Sequence, residues 1–118
     1  MAETVLSRAE PNSELRSTVL IIDDDEDLRN SVGRLLRSVG LNAQLFASIP
    51  DFLKSESPKT PACLVLDIRL PGKSGLDFQR ELATANIQLP IIFITGHPEN
   101  STRSQALRAG AICYLTKP

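Results

Sequence analysis

Three segments of the chain are apolar almost without interruption, and each stops at a polar residue: TVLIID (Thr18–Asp23), ACLVLD (Ala62–Asp67) and PIIFIT (Pro90–Thr95). A strand with one solvated face alternates apolar and polar residues. A short unbroken apolar run instead suits a strand covered on both faces, as in a parallel sheet. Between these runs the period changes. Leu28, Val32, Leu35, Leu36 and Val39 recur at helical spacing and predict one apolar stripe. Acids open that segment and Arg37 and Gly40 close it, as the helix dipole and a left-handed stop favour.

The alternation repeats to the end of the chain. Leu41–Phe46 is a weaker strand. A short helix follows from Ser48 to about Ser55, with Ser48 as N-cap and Pro50 in its first turn. A helix from about Gly75 to Ala85 turns Leu76, Phe78 and Leu82 inward. Another spans about Ser101–Ala109 and stops at Gly110, and Ala111–Leu115 is the last strand. Pro58–Pro61, Ile68–Gly75 and Gly96–Asn100 read as loops, and Met1 to about Ser17 as a loose polar tail. Strand and helix in strict alternation predict one α/β domain, a parallel sheet with helices on both faces.

The charge balance narrows the function classes. The 118 residues carry a net charge of -1, too little to draw the molecule to nucleic acid or to an anionic membrane. No apolar stretch is long enough to span a bilayer, and MAETVLSRAE lacks a signal-peptide core, so a cytoplasmic protein is expected. Cys63 and Cys113 each sit in a strand and read most simply as reduced core thiols, with a disulfide or metal pair as the alternative.

In a parallel sheet, functional residues gather at the C-terminal strand ends. Here those ends carry Asp23–Asp24, Asp67 and Thr95, and Lys117 follows the last strand. Each residue alone has an ordinary reading: a strand-end Asp is usually a cap or turn former, and a Lys before Pro is usually at the surface. Together they put three carboxylates, a hydroxyl and an ammonium on one edge. Clustered carboxylates repel, and a hard divalent cation such as Mg2+ removes that conflict with oxygen ligands. A metal and a lysine beside a free carboxylate form a set suited to receiving a phosphoryl group.

These residues fall in stretches that resemble the receiver domain of bacterial two-component response regulators. The stretches are IIDDD (Ile21–Asp25), LVLDIRLPGKSG (Leu64–Gly75), FITGH (Phe93–His97) and CYLTKP (Cys113–Pro118), and the likeness runs from about Thr18 to Pro118. The resemblance implies a doubly wound, flavodoxin-like five-stranded parallel sheet in the order 2-1-3-4-5. It implies Asp67 as phosphoryl acceptor, with Lys117 and Thr95 on the phosphoryl oxygens and Thr95 and Tyr114 as switch residues. Metal ligation falls to Asp23, Asp24, Asp67 and the backbone carbonyl of Arg69, for Mg2+ with Mn2+ as a substitute. Pro71 and Gly75 match the loop after the acceptor.

The same resemblance implies a regulatory domain with Mg-dependent self-phosphorylation and self-dephosphorylation, not an enzyme turning over external substrates. Its phosphoryl donor is a sensor histidine kinase or phosphotransfer protein. Its output, transcription as ITGH (Ile94–His97) favours, is reached without direct nucleic-acid contact from this domain. A homodimer through the fourth-helix/fifth-strand face is a further expectation. His97 and Arg69 hold positions that tune phosphoryl loss in the family, against a plain reading as loop residues. Asp25 reads as a helix-start acid more readily than as another ligand.

One departure stands out. Family domains continue past Lys-Pro into a fifth helix, whereas this sequence ends there. The domain is therefore expected over 18–118, truncated before its last helix, with an apolar patch beside the fifth strand and first helix that a swapped neighbour would cover. Three rival readings carry less. A phosphatase with an aspartyl nucleophile places a second Asp where this chain has Arg69. A flavin-type phosphate loop is at odds with the acids of Asp23–Asp27, which would repel phosphate. A degenerate receiver would lack part of the acid, Thr and Lys set.

Overall fold

The computed structural model describes residues 17–56 and 61–117. The expected tail up to Arg16, most of the Pro58–Pro61 loop and Pro118 lie outside the described residues. Among the described residues, five strands and four helices alternate: β1 Thr18–Ile22, α1 Glu26–Ser38, β2 Asn42–Phe46, α2 Ile49–Lys54, β3 Ala62–Asp67, α3 Gly75–Thr84, β4 Ile91–Thr95, α4 Asn100–Arg108 and β5 Cys113–Thr116. The strands form one sheet in the order β2-β1-β3-β4-β5, and every neighbouring pair is parallel.

The helix boundaries follow local chemistry. Asp25 Oδ1 accepts from the Leu28 N–H (3.2 Å), Ser48 Oγ from Asp51 (3.2 Å) and Ser74 Oγ from Asp77 (3.1 Å), so three helices begin on side-chain caps. Three helices also end alike. Gly40, Asn86 and Gly110 have φ of 90°, 60° and 104°. The N–H after each reaches back to Leu36, Leu82 and Ala106, closing the last turn. That closure explains why β5 starts later than the expected Ala111: the Ala111 N–H is already bound to the Ala106 carbonyl.

Right-handed crossovers decide which face each helix covers. From β1 the chain steps one way to β2 and afterwards only the other way, so α1 lies on one face and α2, α3 and α4 on the other. The core fills the three-helix side. Leu20, Ile22, Leu64, Leu66, Ile91 and Phe93 alternate along β1, β3 and β4 and pack with Ile49, Phe78, Leu82 and Ala106. Complete burial of a side chain such as Leu66 or Phe93 contributes about 1.5–3 kcal/mol. Edge-to-face rings link β2, α2 and α3: Phe46–Phe52 at 5.4 Å and Phe52–Phe78 at 5.9 Å.

The α1 face differs from the expectation of strands buried on both sides. Val19 and Ile21 are buried in β1, but Cys63, Val65, Ile92, Ile94 and Cys113 are only half-buried, and Leu115 is exposed. One helix covers only part of a five-stranded face. Both cysteines are free and half-buried rather than core thiols. The α1 stripe is likewise narrower than its sequence period: Leu35 and Val39 are 64% and 66% exposed, while Gly33 lets the helix approach Leu45 of β2.

Gly40 tests the helix stop. A Cβ there would meet nothing within 4 Å, so Gly40→Ala carries only the cost of left-handed backbone. The expected loss is about 1–2 kcal/mol, read as a lower urea midpoint with an unchanged slope.

Candidate functional site

The parallel register brings the C-terminal ends of β1, β3 and β4 to one edge. Ile22 pairs with Leu66, so Asp23 and Asp67, the next residue of each strand, stand side by side. Asp67 pairs with Ile94, which sets Thr95 one step beyond. All three residues are buried. Lys117 is tied in by its backbone, whose N–H donates to the Thr95 carbonyl (2.7 Å). Its side chain then returns across the edge and Nζ donates to Asp67 Oδ2 at 2.9 Å.

Lys117 Nζ is equally close to Asp23 Oδ2, 2.9 Å, but as an ion pair without hydrogen-bond alignment. The buried Asp23 Oδ2 accepts no hydrogen bond from the described residues. Asp23 Oδ1 accepts from the Asp25 N–H (2.9 Å) and Asp67 Oδ1 from the Arg69 N–H (3.0 Å). Burial pushes the Asp67 carboxyl above the usual carboxylate range, and the charge of Asp23 adds to that. The Lys117 and Arg69 hydrogen bonds offset only part of it. Burial by itself lowers the Lys117 ammonium, but its contacts with Asp67 and Asp23 outweigh this and raise it.

Asp24 completes the acidic group and is exposed. One ligand oxygen from each of Asp23, Asp24 and Asp67 lies within 4.8 Å of the others. An oxygen-only donor set, one member of which holds a buried oxygen without a hydrogen bond, fits a hard divalent cation of the Mg2+ class.

The remaining candidates are distributed around this centre. The Thr95 hydroxyl accepts from the His97 N–H (3.0 Å), and the His97 side chain is exposed. Arg69 is 3.9 Å from Glu99, both side chains exposed. Tyr114 lies opposite Phe93 and packs against the core, its hydroxyl buried without a partner among the described residues. Asp25 caps α1 instead of joining the acidic group. Gly75 has a specific reason to be glycine: a Cβ there would stand 2.4 Å from the Asp67 carbonyl oxygen, and the Gly75 N–H donates to Ile68 O (2.8 Å).

The model of the response regulator receiver domain matches residues 19–118. The chain belongs to that family. Nodulation protein W of Bradyrhizobium diazoefficiens is 48% identical over 103 residues, which is 87% of this chain and 45% of that protein. Response regulator protein TodT of Pseudomonas putida is 41% identical over 106 residues, 90% of this chain and 47% of that protein. Among solved structures, response regulator StyR superposes with a TM-score of 0.79 at 40% identity, covering 87% of this chain and 52% of that one. FixJ-N superposes with a TM-score of 0.75 at 35% identity, covering 86% and 82%. The chain thus spans about half the length of the curated relatives it matches.

Three features of this receiver domain escaped the sequence reading. Arg29 donates from NH1 to the Asp23 carbonyl (2.8 Å). Gln79 is buried and donates to the Ala106 carbonyl (3.1 Å), joining α3 to α4. Glu99 faces Arg69. Each pair joins residues that no short motif links. A polar Gln inside the apolar period of α3 was the one available signal.

Two measurements check the site. Gly75→Ala drives a methyl against backbone, and a loss of about 1–3 kcal/mol is expected in urea melts. Asp67 has a raised folded-state pKa, so at neutral pH, where the unfolded chain ionises it freely, folding bears a cost. That cost disappears as pH falls below the ordinary carboxylate pKa. Asp67→Asn is therefore expected to raise the thermal midpoint in metal-free neutral buffer. The gain should shrink as the pH is lowered through the carboxylate range.

Proposed function

We propose that this chain is a phosphoryl-accepting signalling switch with Asp67 as the acceptor. The observation that carries the reading is the Lys117 ammonium set between the Asp67 and Asp23 carboxylates at the ends of parallel strands. An Asp67 oxygen attacks phosphorus in line. The new P–O bond forms as the bond to the donor breaks, and the donor leaves with its electron pair, as imidazole from a phosphohistidine or acetate from acetyl phosphate. Lys117 already holds one Asp67 oxygen, which orients the carboxylate, and its charge also suits the incoming phosphoryl oxygens.

Asp23, Asp24, Asp67 and the Arg69 carbonyl are the proposed holders of Mg2+, for which Mn2+ is a substitute. Bound there, the ion neutralises the clustered carboxylates and the transferring phosphoryl oxygens. The hydroxyl of Thr95 is the proposed partner of a further phosphoryl oxygen. To reach it, Thr95 gives up the His97 N–H, and the β4–α4 loop shifts with it. Tyr114, with its unpartnered hydroxyl beside β4, is the proposed second switch residue. Self-phosphorylation and hydrolysis follow from this site, with Arg69 and His97 governing water access.

The donor is a sensor histidine kinase or phosphotransfer protein in the cytoplasm, and the α4–β5 face then meets an output region or a second receiver. Transcription is the proposed output. Two relatives support it by name: transcriptional regulatory protein TdiR of Thauera aromatica, 38% identical, and FixJ of Azorhizobium caulinodans, 37% identical. The receiver unit is proposed to run over 18–118.

Intact mass after incubation with acetyl phosphate tests the reading. A gain of one phosphoryl group that requires Mg2+ and is lost in Asp67→Asn is the expected outcome. Lys117→Gln should slow the gain by about 100-fold or more, since a charged group aimed at the transferring oxygens is lost. No gain under any condition would overturn the proposal.

A further inference from the structure

The Asp24 side chain makes no hydrogen bond or ion pair among the described residues. The residue is exposed, yet it points one oxygen into the group formed with Asp23 and Asp67. Its aim has to come from the backbone, and both flanking peptide units are pinned. The peptide before Asp24 is held through its oxygen: Arg29 NH1 donates to the Asp23 carbonyl at 2.8 Å. The peptide after it is held through its nitrogen: the Asp25 N–H donates to Asp23 Oδ1 at 2.9 Å. With both planes fixed, the direction of the Cα–Cβ bond of Asp24 is fixed as well.

We propose that Arg29 is a positioning residue for the divalent-cation site, acting on Asp24 through the peptide that joins it to Asp23. The inference rests on the metal reading above. Arg29 has two opposed effects, which is what makes its role measurable. Its positive charge lies near the acids and disfavours a cation. Its hydrogen bond presets a ligand, and removing such an outer-shell partner typically costs 10–100-fold in metal affinity. Arg29 can do this because it lies one helical turn past the Asp25 cap, its backbone N–H bound to the Asp25 carbonyl (3.0 Å). The start of α1 therefore carries its guanidinium back over the end of β1.

Mg2+ titration by calorimetry on the unmodified chain, Arg29→Met and Arg29→Lys decides the matter. Positioning predicts a dissociation constant about tenfold or more higher for Arg29→Met, with partial recovery in Arg29→Lys, whose ammonium still reaches for the carbonyl. It also predicts that Arg29→Met adds little loss when Asp24 is already Asn, because the effect passes through Asp24. Unchanged or tighter binding in Arg29→Met would overturn the proposal, as would full additivity with Asp24→Asn. Should Arg29→Met fail to melt cooperatively, Arg29→Gln, whose shorter side chain falls away from the carbonyl, gives the same comparison. If the unmodified chain takes up no Mg2+, the metal reading falls and this inference with it. If the chain binds and Arg29→Met binds as well, only the role of Arg29 falls.

Discussion

Two buried carboxylates on adjacent parallel strands would repel each other, and the Lys117 ammonium 2.9 Å from both makes their closeness tolerable. Much of the site geometry depends on that contact. Lys117 reaches it because its own N–H continues the β4–β5 pairing through the Thr95 carbonyl. β1, β3, β4 and the end of β5 are thus joined at one edge by a single residue, through its side chain and its backbone N–H. The compensation is incomplete: Asp67 remains harder to ionise than an ordinary carboxylate, and Asp23 Oδ2 is buried without a hydrogen bond. A site left this way is costly to the fold, and its clustered oxygens are a group that could hold a metal ion.

The backbone around the acids is correspondingly stiff. Asp23 and Asp67 each use one oxygen to hold the N–H two residues on, and Arg29 holds the Asp23 carbonyl. Gly75 brings the start of α3 against the Asp67 carbonyl at a distance no other residue permits. The Thr95 hydroxyl, by contrast, is held by the His97 N–H at the start of an exposed loop, a contact that lies outside the sheet pairing.

The packing is one-sided. Among the described residues, three helices and the core cluster cover one face of the sheet, while α1 alone shields β1 and β2 on the other. The apolar residues of β3, β4 and β5 on that side are only partly covered by the described residues, so their unbroken hydrophobic runs coexist with partial exposure.

Much of this was legible in the amino-acid order because it depends on local rules. Apolar runs against a helical period separated strands from helices. Ser48, Gly40 and Gly110 marked helix ends, since capping and left-handed backbone are properties of single residues and their neighbours. Alternation implied a parallel sheet, and a parallel sheet put Asp23, Asp24, Asp67, Thr95 and Lys117 on one edge. What the order of residues could not supply was contact between segments: which oxygen Lys117 holds, how Arg29 and Asp23 together pin the peptides around Asp24, and how Gln79 ties α3 to α4. It also could not say that Leu35 and Val39 stay exposed, or that one face of β3 and β4 is only half-buried. Periodicity reports which residues are able to be buried, whereas burial itself depends on how many helices lie over a face, and that is decided only when the chain has crossed the sheet.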